Sequence, residues 1–162
     1  MAFDLPPDLL NRDDVLEFFW SFSVFECALK REGFLQKGGQ DRAEPDWEKF
    51  GKSLKGRFDP EPIPGFGEAV ERLKNLSPQR QVVEDGQLCW RPVTQRSDES
   101  DEQYVLDLLK TVRNNLFHGG KYPDGPIAEV SRDREILVAA ISVLRACYEL
   151  HPGIKRWVDE PS

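Results

Sequence analysis

The chain has 162 residues, 39% of them apolar and 31% charged, a size and balance that fit one domain with a single core and well-solvated helix faces. Its formal net charge of −7 argues against broad, sequence-independent nucleic-acid binding through a basic surface. The three cysteines are odd in number and far apart; Cys27 and Cys147 read as buried free thiols of a reducing cytoplasm, and with two histidines and no close Cys/His spacing no zinc site is expected.

Residues 1–12 form a Pro-containing lead-in with no basic region or cleavage pattern of a signal peptide, and no run approaches the length of a membrane span, so a cytoplasmic protein without a membrane partner is expected. From about Asp13 to Arg31, Val15, Phe18, Phe22, Phe25 and Leu29 make one apolar stripe at helical spacing. Leu16, Trp20, Val24 and Cys27 make a second. Two stripes predict a helix buried on more than one side, as in a bundle centre or a dimer seam. Residues 34–46 read as a loop punctuated by Gly38-Gly39 and Pro45. A short helix follows, about 45–57, with Trp47, Phe50 and Leu54 inward. Three prolines keep 58–66 irregular, and a further helix is predicted over 67–76.

The one β element expected is a hairpin near residues 81–91. Gln81–Glu84 and Gln87–Trp90 flank Asp85-Gly86, a dipeptide suited to a tight turn, with Trp90 as the anchor to the helices. Residues 94–101 read as a flexible polar loop. A helix over 100–118 opens on a capping box, Ser100 with Gln103, and Ser131 caps a last long helix over 132–150. His151-Pro152-Gly153 ends that helix, and Ile154 and Trp157 of the tail 151–162 dock back on the bundle. The fold class expected is a single all-α helical bundle over 1–162 with a small β-hairpin insertion.

Function concentrates in Arg113-Asn114-Asn115-Leu116-Phe117-His118-Gly119-Gly120-Lys121, where the apolar period Val105, Leu108, Leu109, Val112, Leu116 stops at a double glycine. Two asparagines and an arginine crowd the last turn, although such polar residues give up helix propensity. One reading is a capping device, with Arg113 and Asn114 on last-turn carbonyls and His118 at the negative helix end. The other is a site. Arg113 and His118, with four residues between them and Asn114 directly after the arginine, resemble the R-x4-6-H motif of HEPN domains.

That resemblance implies an all-α fold and a metal-independent endoribonuclease of prokaryotic toxin–antitoxin or antiviral systems, cofactor-free, with its site at a homodimer interface. Arg113, Asn114 and His118 become the catalytic candidates; Lys121, Tyr122 and Asn115 become candidate RNA contacts. One departure is visible. Some members carry a tyrosine two residues after the histidine, modified by a nucleotidyltransferase antitoxin; here position 120 is Gly and the nearest tyrosine is Tyr122. An antitoxin protein stays a candidate partner without that chemistry. The acidic balance favours an alternative, a non-catalytic HEPN-like module for dimerisation or for binding a nucleotide or protein partner.

The residue types suit RNA cleavage. The substrate's own 2′-hydroxyl serves as nucleophile; histidine, with an unperturbed pKa near ~6.5, handles protons, and arginine's planar fork fits phosphate oxygens. An acidic chain needs a local basic cleft for this, for which Arg113, Lys121, Arg132 and Arg134 are candidates. Geometry adds a constraint. Positions five apart on a helix lie ~140° apart around the axis, so Arg113 and His118 do not share a face, whereas Asn114 and His118 do. Either a fraying last turn within one chain or a two-fold dimer bringing two motif helices together answers the problem; the HEPN resemblance implies the second.

Overall fold

The computed structural model describes residues 10–59, 61–117 and 127–159, with 127–130 as backbone only. The fold is mainly helical: among the described residues there are six α-helices and two small antiparallel sheets. The helices are α1 (Arg12–Arg31), α2 (Trp47–Ser53), α3 (Phe66–Leu76), α4 (Asp101–Phe117), α5 (Ile127–Leu150) and α6 (Pro152–Asp159). None of the described helices is long and apolar enough to cross a membrane.

Local chemistry sets most boundaries. Asn11 and Asp46 cap α1 and α2 by accepting from Asp13 N at 3.0 Å and Lys49 N at 2.9 Å. Ser100 caps α4, its Oγ accepting from Gln103 N at 3.2 Å. The reciprocal arm of the expected capping box is not made: the Gln103 amide reaches Asp107 instead, at 3.4 Å. Gly51 lets α2 and α4 cross closely, because a Cβ there would run into the Gln103 side chain.

The core centres on α5, which packs against α1, α3, α4 and α6. Ile136, Leu137, Ala140, Val143, Leu144 and Cys147 are buried along it, with small residues such as Ala139 and Ala146 admitting close neighbours. This corrects the expectation for α1. Its first stripe, Phe18, Phe22, Phe25 and Leu29, is fully inside, but the second points out: Leu16 is 58% and Trp20 70% exposed, and Cys27 is exposed rather than buried. Periodicity identified an apolar face that the described residues leave largely exposed. Cys147 is buried as expected, and burial pushes its thiol up to about 12, which makes it inert.

Several other expectations give way to longer-range contacts. Residues 34–46 are not a plain loop: β1 (Leu35–Lys37) pairs with β2 (Ala43–Pro45) around a 3₁₀ turn, and Phe34 is buried beside Phe50. Helix α5 starts at Ile127, so Ser131 lies inside it and is not its cap. Residues 94–101 are tied down, with Arg96 N donating to Glu99 Oε2 and Gln95 bonding both Glu99 O and Asp101. The tail is not only docked but helical. Ile154 is buried, Trp157 donates to Glu32 at 3.1 Å, and the His151 ring accepts from Ile154 N at 3.4 Å at the start of α6.

The expected hairpin forms as β3 (Gln79–Glu84) and β4 (Gln87–Pro92), joined by Asp85 and Gly86, both at positive φ (51° and 77°) as a tight primed turn requires. Trp90 is not a core anchor, being 40% exposed. The hairpin is fastened at its open end, where Asn115 donates to Gln79 O at 2.6 Å and Tyr104 donates to Val93 O at 3.0 Å.

Candidate functional site

The last turns of α4 carry the described part of the motif. Val105, Leu108, Leu109 and Val112 anchor the inner face of the helix, which leaves Arg113 half-buried and Asn114 exposed on its outer side. His118, Lys121 and Tyr122 lie outside the described residues.

Arg113 is held by two neighbours. Its Nη1 donates to Asn114 Oδ1 at 3.0 Å, and its Cζ lies 5.0 Å from the centre of the Phe117 ring. On a helix of 3.6 residues per turn, Asn114 follows Arg113 by ~100° and Phe117 by ~40°. Both therefore lie on the side of Arg113 toward which an ideal helix carries position 118. The guanidinium head is turned toward those two side chains. Asn114, one of the three catalytic candidates, accepts from the arginine here through its carbonyl oxygen.

Phe117 connects the motif to another surface. Its ring packs on Phe19 of α1 with centroids 5.1 Å apart, and both rings remain partly exposed. Phe19 adjoins Leu16 and Trp20 on the outer face of α1, three residues on and one residue before them. The outward apolar stripe of α1 thus runs up to the ring that supports Arg113. The sequence signal for this was the second stripe itself; Phe19 belongs to neither stripe, and Phe117 draws no notice beside its polar neighbours.

The candidate contacts separate. Asn115 is buried and donates to the Gln79 carbonyl, so its amide tethers α4 to the hairpin. Arg132 donates to the carbonyls of Leu76 and Ser77, at 2.5 and 2.9 Å, closing the C-terminus of α3. Arg134 lines a different groove, with Arg72, Glu68 and Val138, between α3 and α5. Neither supplies a basic cleft at Arg113. A cleft of about 460 Å³ does adjoin the motif, between β3 and α4; Arg80, Gln81, Lys110, Thr111 and Asn114 are among the residues that line it. Lys110 pairs with Asp107 at 2.6 Å on its wall. Lys110 sits one turn before Asn114 and was readable from helix spacing; Arg80 arrives through the hairpin and was not.

His151 is a structural histidine. Its ring meets Phe34 edge-on at 5.2 Å, and burial holds its pKa below the usual value, so it stays neutral at pH 7. Among the described residues no group of three or more His, Cys, Asp or Glu side chains gathers as a metal site would. No protein-family model, no curated protein and no solved structure matches this chain.

Proposed function

We propose that the chain is a metal-independent endoribonuclease of the HEPN type, working at a site shared across a homodimer, as a toxin–antitoxin or antiviral defence effector. The observation that carries this is the set of the Arg113 head, held by Asn114 Oδ1 and the Phe117 ring in the last turn of α4. A helix cap would aim that guanidinium at last-turn carbonyls, and its described partners are instead two side chains.

In the proposed reaction His118 of one copy takes the proton from the 2′-hydroxyl. The 2′-oxygen attacks phosphorus, the bond to the 5′-oxygen breaks, and His118 of the second copy returns a proton to that leaving oxygen. The products are a 2′,3′-cyclic phosphate and a free 5′-hydroxyl. Arg113 binds the phosphate oxygens as negative charge builds on them. Asn114 positions Arg113. DNA, lacking the 2′-hydroxyl, resists.

The homodimer reading rests on the outward stripe of α1. Leu16, Phe19 and Trp20 are large and exposed, and Phe19 packs on Phe117, so a second copy seated there brings two motif helices together. The same stripe, with the net charge of −7, also favours the second reading, a non-catalytic module that dimerises or binds a nucleotide or protein. Incubating the purified protein with total RNA in EDTA separates them: cleavage supports the ribonuclease, and intact RNA with a stable dimer supports the module.

A further inference from the structure

Resting on the ribonuclease reading, we propose that the cleft between β3 and α4 is the subsite for the nucleotide beside the cleaved bond, with Arg80 and Lys110 holding its phosphate. The cleft is within the range of roughly 300–1,000 Å³ that small ligands occupy, so one nucleotide fits. Asn114 joins it to the motif: the amide that lines the cleft is the one whose oxygen holds Arg113.

Two cations line the cleft, Arg80 and Lys110. Arg72, Arg91, Arg96, Arg145 and Arg156 each face a carboxylate. Arg80, like Arg12, Arg31, Arg42 and Arg134, has no such partner among the described residues, and unlike Arg12, Arg31, Arg42 and Arg134 it lines this cleft of an acidic protein. Lys110 faces the same space with a single carboxylate beside it. Lys110 and Asn114 are about 6 Å apart along the helix axis, so the two ends of the cleft serve different groups of one nucleotide. The walls are preformed. Asn115 ties β3 to α4, and the Thr111 hydroxyl is already turned back onto Asp107 O at 2.8 Å. Little ordering is left for binding to impose.

The test uses the full chain carrying His118→Ala and a fluorescent 2′-O-methyl RNA oligonucleotide, followed by anisotropy across a salt series. Adding Arg80→Gln with Lys110→Gln should weaken binding about tenfold and flatten the salt dependence by about 0.7 per lost phosphate contact. In the otherwise wild-type protein the same pair should raise KM and leave kcat nearly unchanged. Arg80→Gln alone, which leaves the Lys110–Asp107 pair intact, should show part of both effects. Unchanged Kd and salt slope in properly folded variants of a protein that still cuts RNA would overturn the subsite and leave the ribonuclease standing. Loss of oligonucleotide binding in a protein that never cuts RNA would uphold the cleft and remove the ribonuclease. Displacement of the oligonucleotide by AMP at similar concentration would assign the cleft to free nucleotides and overturn its role on a strand.

Discussion

Arg113 donates to Asn114 Oδ1 at 3.0 Å while its guanidinium lies over the Phe117 ring, so an asparagine and an aromatic one turn apart hold the arginine's head away from its own helix face. In the proposed site this contact fixes where the phosphate is met.

Arg113→Lys keeps the charge and loses the planar fork, so it should cut RNA far below the wild-type rate. Asn114→Ala removes one hydrogen bond to a charged group, of order 1.5–3 kcal/mol, and should cost about 10- to 100-fold, less than Arg113→Ala. Single-turnover rates with parallel thermal melts check this. Full activity for Arg113→Lys would leave simple electrostatics as sufficient, and unfolding of both variants would return the pair to a capping role.

Trp20→Glu should convert a dimer to a monomer and abolish cleavage without unfolding the chain. Trp20 is 70% exposed, so the folded monomer loses little, within about 0.5 kcal/mol. Light scattering at micromolar concentration, a melt and an RNA assay together decide it. A wild-type monomer that cuts RNA would remove the shared site.

Asn115→Ala should lower stability by about 1–3 kcal/mol, because a buried amide would no longer pair with the Gln79 carbonyl that fastens the hairpin. Its cleavage rate per folded molecule should change less than that of Arg113→Ala. Denaturant unfolding measures the first, and active-site-normalised kinetics the second. An unaffected midpoint would contradict the tether.

What the sequence made legible was mostly local. Val105, Leu108, Leu109 and Val112 repeat at helical spacing and are buried on α4. Asp85-Gly86 takes the left-handed backbone that a tight hairpin needs. What escaped depends on distant partners. Leu16 and Trp20 share a period with buried residues, yet periodicity reports a face and not what covers it. Ser131 has cap chemistry, but a helix already running from Ile127 absorbs it. Arg132 looked free for a ligand because its partners, the carbonyls of Leu76 and Ser77, lie more than fifty residues away. Arg80 enters the cleft only because the hairpin folds back on α4. Arg113 stood out by type and spacing; its contact with the Phe117 ring did not, because that ring draws no notice in the sequence.

His151 should make the fold less stable in mild acid. Burial depresses its folded pKa below the unfolded value near 6.5, so the unfolded chain binds the extra proton first. Stability is then fully present above about pH 6.5 and declines as pH falls through that value toward the folded pKa. His151→Asn keeps a capping side chain at the start of α6 but cannot titrate. Its melting temperature should vary less between pH 7.5 and pH 5.5 than that of the wild type, and an identical pH profile would contradict the assignment.

The central claim is that His118 moves protons at an RNA phosphate held by Arg113. The direct measurement is the cleavage rate of total RNA in EDTA by wild type and His118→Ala, purified side by side and matched in melting temperature. The account predicts cleavage by the wild type to ends bearing 2′,3′-cyclic phosphate and 5′-hydroxyl, and a loss of ~10²–10⁴-fold in the variant. Equal cleavage by the two proteins, or no cleavage by a dimeric wild type, would contradict it.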